Sequence, residues 1–130
     1  MGRIYHFPFG MTIDWEKKYV LFVCSSNRHR SKTAEDIFSA LYTPLTIMSA
    51  GTNEKSCKKH GGVFLTEGML RAADLIVVME DHHQDLINKA TSDTYANKIH
   101  ILEIPDEYQY GQVELVDLLK EKTTNVLNSL

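Results

Sequence analysis

Cys24 and Arg30 stand five residues apart in the run Cys24-Ser25-Ser26-Asn27-Arg28-His29-Arg30-Ser31. A Cys at a helix N-terminus beside cations ionises more easily than a free thiol, and the thiolate is the nucleophilic form. Arg30 offers a planar fork of donors that matches two oxygens of a phosphate at once. Ser31 can give its hydroxyl hydrogen to the sulfur, and Asn27 tolerates the left-handed backbone of a tight loop. These residue types together describe a nucleophile placed against a compact anion. A buried Cys with a surface Arg nearby would be the alternative for either residue alone.

The flanking elements set the geometry. Residues 19–23, YVLFV, form a short apolar run suited to a strand covered on both faces. From Ser31 onward Ala34, Ile37, Phe38 and Leu41 recur at helical spacing. A strand that enters a polar loop opening a helix directs loop N–H groups and the helix N-terminus at one point, which favours an anion there. Further strands are expected over 45–48, 75–79 and 98–104, and further helices over 82–90 and 113–127. The last helix shows a stripe at Val116, Leu119 and Leu127. Residues 49–52 read as a turn and 53–62 as a polar loop. A short helix is expected from Thr66 to Ala73. Adjacent His82 and His83 are expected to face solvent and make a poor paired-ligand site.

This alternation calls for a three-layer α/β/α domain with a four-stranded parallel sheet and right-handed crossovers. In such sheets ligands lie beyond the carboxyl ends of the strands. Cys24 follows the first strand at that edge and Asp106 follows the fourth, so Asp106 is the candidate general acid. Asp36, Asp85 and Asp117, on helices, and Asp93 have weaker claims. Tyr108 and Tyr110 flank Asp106 and can stack on an aromatic ring in the pocket.

At 130 residues the chain is expected to be one domain over 17–130, with an extension over 1–16. Tyr5, Phe7, Phe9 and Trp15 of the extension are expected to pack on the body, and Met11 is an alternative start. Hydrophobic residues make up 43% and charged residues 24%, as in ordinary globular proteins. The net charge of -3 argues against a nucleic-acid partner, although Arg28, His29, Arg30 and Lys32 form a local positive cluster. No apolar run is long enough for a membrane span. Two cysteines, Cys24 and Cys57, make no disulfide framework, and with no signal peptide in view a cytoplasmic location is expected. Cys57 and His60 have the spacing of two zinc ligands, but no second pair follows, so no metal or cofactor is expected.

The segment VLFVCSSNRHRS with the following TAEDIF resembles the low-molecular-weight protein tyrosine phosphatases, in particular a compact bacterial branch. The likeness continues in MSAGT at 48–52, ADLIVVMEDHH at 73–83 and IPDEY at 104–108. It implies a strand order 2-1-3-4 and a phosphate loop of Ser25, Ser26, Asn27, Arg28, His29, Arg30 and Ser31. It also implies Cys24 as nucleophile, Arg30 as phosphate clamp, Asp106 as acid, Ser49 holding Asn27, and a pocket-wall Tyr at Tyr108. The implied partners are a phosphotyrosine protein or small aryl phosphate, with inorganic phosphate or a similar oxyanion in the loop. The chain departs from the family in a shorter segment before residue 73, in Glu107 where Pro is usual, and in His29 where many members carry a second loop Cys.

Three other readings share parts of this pattern. An arsenate reductase needs a relay of extra thiols, and Cys57 is the only second one. A phosphocysteine carrier would not require Arg30 or Asp106. A phosphotyrosine-binding module without turnover would tolerate the shortened segment and Glu107.

Overall fold

The computed structural model describes residues 17–130, together with the backbone of β1 (Ile4–His6) and β2 (Thr12–Asp14). These two strands pair antiparallel, Tyr5 opposite Ile13. The expected packing of Tyr5, Phe7, Phe9 and Trp15 lies outside the described residues.

The main sheet is built on β3 (Lys18–Cys24), whose residues from Val20 to Cys24 are all buried. β4 (Leu45–Gly51) and β5 (Leu75–Val78) flank it in parallel, and β6 (Ile99–Ile101) pairs parallel with β5. The order β4-β3-β5-β6 is the 2-1-3-4 arrangement. Alternation along β3 divides the interior. Val20, Phe22 and Cys24 face one layer, where α1 (Arg30–Leu41) and α5 (Val113–Asn128) supply Ala34, Phe38, Leu115, Leu119 and Leu127. Leu21 and Val23 face the other, against α3 (Glu67–Ala72) and α4 (Asp81–Thr91) through Leu70 and Ile87. Phe22 stacks on Phe38 with ring centroids 5.5 Å apart. Each such buried side chain contributes about 1.5–3 kcal/mol, so both helical layers are tied to β3.

Several elements differ from the sequence expectation. β4 runs on through Ser49, Ala50 and Gly51, pairing Cys24 with Gly51, because these small residues fit against the buried central strand. Residues 53–62 contain α2 (Glu54–His60) instead of an extended loop. Asn53 caps its first turn by accepting from the Ser56 N–H at 2.9 Å, and Gly61 ends it at φ 72. α3 begins as expected, with Thr66 as its cap. β6 is shorter than its apolar run, although Leu102 and Ile104 still donate to Val78 and Met79 carbonyls. On α5 the buried stripe is Leu115, Leu119, Thr123 and Leu127, leaving Val116 only half-buried. On α1, Leu41 is exposed because the helix ends there beyond the sheet. Among the described residues no helix is long and apolar enough to cross a membrane.

Candidate active site

β3 delivers Cys24 to the carboxyl edge of the sheet, and α1 starts six residues later at Arg30. The α1 N-terminus has neither a side-chain cap nor an acidic residue in its first turn. Its positive end is therefore left for a group from outside the chain. The Cys24 and Ser25 carbonyls accept from the N–H groups of Thr52 and Asn53, each at 2.9 Å. Among the described residues no protein acceptor takes a hydrogen bond from the N–H groups of residues 25–29. Carbonyls satisfied and amides spare is the wiring of an anion cradle.

Asn27 is the brace of the loop. Its backbone is left-handed, φ 53. Its amide nitrogen donates to Ser31 Oγ at 2.8 Å and Ser49 Oγ at 2.9 Å, while its oxygen accepts from the Val63 N–H at 2.9 Å. Ser49 in turn donates to Glu35 at 2.6 Å. Because Asn27 can only donate to Ser31, the Ser31 hydrogen is free for Cys24 Sγ at 3.0 Å, nearer than its other acceptor, the Ala50 carbonyl at 3.4 Å. The side chains of Asn27 and Ser31 thus shape the loop and orient a donor at sulfur.

α2 clamps the same loop from outside. Ser56 Oγ bonds Ser26 Oγ, and the buried Cys57 thiol lies 3.8 Å from the Ser25 carbonyl. A β-carbon at Gly62 would come within 2.5 Å of the Ser26 carbonyl, so only glycine lets the segment sit this close. Burial pushes the Cys57 thiol pKa up, with the neighbouring Cys24 adding to it.

Arg30 is 2% exposed and held by its neighbours. One guanidinium nitrogen donates to Glu80 at 2.5 Å and to the Ile104 carbonyl at 2.8 Å, and its Nε lies 3.8 Å from Asp106. Glu80, at the start of α4, was not foreseen from sequence, since nothing local ties it to a residue fifty positions earlier. A cleft of about 350 Å³ opens here. It is lined by Cys24, Ser25, Ser26, Arg28, His29 and Arg30 on the loop, with His60 and residues 106–109 around them. Tyr108 lines the cleft. Tyr110 does not: its hydroxyl donates to Asp36 on α1, which corrects the expectation that it walls the pocket. Its backbone N–H donates to His29 Nδ1 at 3.0 Å, and the Gly111 N–H donates to Thr33 at 3.0 Å, fastening the Asp106 segment to α1. His29 has a pKa lowered first by burial and then by Arg28, which suits an Nδ1 that accepts.

The largest correction concerns His83, expected in solvent and found fully buried, while His82 stays exposed. His83 Nδ1 accepts from the Glu80 N–H at 3.1 Å, so Nε2 carries the proton and donates to Ser25 Oγ at 3.0 Å. Ser25 then keeps its own hydrogen for the cleft. Burial, then His82, then Arg30 lower the His83 pKa from 6.5 to about 3. The unfolded chain therefore binds a proton that the folded chain refuses between about pH 3 and 6.5. Stability rises with pH across that window, by up to about 1.4 kcal/mol per unit. Urea midpoints measured from pH 7.5 down to 4.5 should fall, and His83→Gln should flatten the fall. An unchanged slope in the variant would contradict this assignment.

Glu80, His82 and His83 hold ligand atoms within 4.8 Å of one another. Arg30 already occupies Glu80, and both His83 nitrogens are committed, so these residues do not fit a resident cation.

No family model matches the chain. A curated protein of Synechocystis sp. named as a low molecular weight protein-tyrosine-phosphatase is 28% identical over 151 residues, covering 85% of this chain and 95% of that protein. Among solved structures, the Erwinia amylovora tyrosine phosphatase AmsI is 26% identical with a TM-score of 0.70, covering 98% of this chain and 99% of that one. The tyrosine phosphatase Wzb from Escherichia coli K30, in complex with phosphate, is 24% identical with a TM-score of 0.70, over 88% and 99% of the two chains.

Proposed function

We propose that this chain is a low-molecular-weight protein tyrosine phosphatase, hydrolysing aryl phosphate monoesters, phosphotyrosine in proteins foremost, through a phosphocysteine; its likeness to the Synechocystis protein and to AmsI supports the reading. The observation that carries this reading is the shared cleft. Cys24 and Asp106 line one pocket, and Arg30 joins them at its base.

In the first step Cys24 sulfur attacks phosphorus, the bond to the phenolic oxygen breaks, and Asp106 delivers its proton to the leaving oxygen. In the second, water attacks phosphorus, Asp106 takes a proton from it, and the phosphorus–sulfur bond breaks to release phosphate and the thiolate. Arg30 and the loop N–H groups hold the phosphoryl oxygens through both steps, so fixed donors supply the charge stabilisation and no metal is required. Wzb from Escherichia coli K30 in complex with phosphate, and Wzb from Vibrio vulnificus in complex with benzylphosphonate, support oxyanion binding by this chain. The catalytic unit is 17–130, with 1–16 an extension to it. Two free cysteines, one the nucleophile, accord with a reducing cytoplasm.

Phosphate release from aryl phosphates, measured in chelator, tests the reading. Asp106→Asn should slow a phenyl phosphate by about 10²–10⁴-fold and an activated nitrophenyl phosphate much less, because a good leaving group needs little protonation. Equal losses on both substrates would remove Asp106 from the acid role. Absence of turnover by reduced, folded protein would sink the enzyme reading.

A further inference from the structure

The two flanks of the cleft differ in charge. On one side Gly62, just after α2, sits close on Ser26 and Asn27, and His60 at the end of α2 lines the cleft. On the other, residues 106–109 are held against His29 and Thr33 and bring Asp106 and Glu107. Arg28 stands on the loop facing the cleft, exposed, with His29 near enough to feel both it and His60.

The pairing of the neighbouring charges sharpens the contrast. Lys32 is spent on Glu35 and Asp36, Lys58 on Glu54, and Arg30 on Glu80. Among the described residues Arg28 has no carboxylate within ion-pair distance, and neither has His60. Glu107 likewise has no cation partner among them. Beyond Pro105 a second groove is lined by Asp81, Asp85 and Glu103, with His82 and the Arg30-paired Glu80 beside them. Unpaired charges of opposite sign therefore line one cleft, Arg28 and His60 from the loop and α2 and Glu107 from the segment after β6.

We propose that the cleft reads the charge polarity of the segment carrying the phosphotyrosine, receiving an acidic side chain at Arg28 and His60 and a basic one at Glu107 and the groove beyond. The proposal deepens the phosphatase reading and rests on it. A segment entering in the reverse sense sets carboxylate against carboxylate and cation against cation, so discrimination comes from repulsion as well as attraction. The rigid seat of α2 on the loop matters, because a charge held in place discriminates where a mobile one adapts.

Four short phosphotyrosine peptides test this, with Glu and Lys placed on the two sides as Glu/Lys, Lys/Glu, Glu/Glu and Lys/Lys. One of the two mixed peptides should show kcat/KM about fivefold or more above its reverse, with both symmetric peptides between them. The ratio should shrink at high salt. The double variant Arg28→Gln/His60→Gln, and separately Glu107→Gln, should each bring it towards one. Mixed peptides turned over equally would overturn the proposal and leave the phosphatase reading standing. A ratio unmoved by both variants would overturn it too. Loss of turnover on every peptide and on nitrophenyl phosphate would instead sink the reading beneath it.

Discussion

Cys24→Ser should lower phosphate release by about 10⁴–10⁶-fold while leaving phosphate binding measurable. The substitution is close to isosteric at a site only 3% exposed, and Ser31 remains to bond the new hydroxyl. On the proposed mechanism what is lost is the nucleophile, since a serine hydroxyl is far less ionised than a thiol at neutral pH. The loop is held by Asn27, Ser49 and α2 and not by the sulfur, so its N–H groups keep their arrangement. Calorimetric titration with inorganic phosphate should give a dissociation constant within an order of magnitude of the native value. Residual turnover above that range would point to a different nucleophile. Lost binding would make Cys24 part of the scaffold.

Arg30→Ala should fail in both activity and stability. Removing a cationic clamp from a phosphoryl transition state costs about 10³-fold or more. The variant also leaves Glu80 and the Ile104 carbonyl without their donor. Breaking a buried pair costs about 3–5 kcal/mol, but Glu80 keeps 30% of its side chain exposed, so about 2–3 kcal/mol is expected. Arg30→Lys should recover part of the stability and little of the rate, because an ammonium cannot bridge Glu80 and Ile104 while presenting a fork to phosphate. A double-mutant cycle with Glu80→Gln separates the two effects. The stability cost of losing Arg30 should drop in the Glu80→Gln background, whereas the rate defect should persist. A rate restored by Glu80→Gln would mean that Arg30 acts only through the ion pair.

The parts of this molecule that were legible in sequence are those written in local pattern. The apolar run before Cys24, the helical stripe after Ser31 and the alternation of later elements yield the parallel sheet, and the edge rule brings Asp106 toward Cys24. The strand order came from the family resemblance and is the order found. α2 is not legible from apolar period because it buries only Cys57; its cap residues Asn53 and Gly61 are the available signal. The burial of His83 is hard to read for a related reason. Neighbouring positions on a helix point in different directions, so one of two adjacent histidines can be buried, and periodicity with Ile87 four residues on was the clue. Glu80 and His60 reach the site only through tertiary packing. Tyr110 departs from expectation because nearness to Asp106 in sequence does not keep two side chains on one side of a turning segment.

The central position of β3 has a consequence for how the site comes into being. Of the four main-sheet strands the one bearing Cys24 is translated first, yet its partners β4 and β5 are both parallel and arrive by crossovers, and Asp106 follows β6. Parallel pairing requires long loops to close before contacts repay them, which slows assembly. The thiol thus leaves the ribosome well before the chain that will enclose it, and passes through a window in which it is accessible but has neither Arg30's partners nor its acid. Chemical vulnerability of Cys24 should consequently peak in the nascent chain and close as the last strand docks.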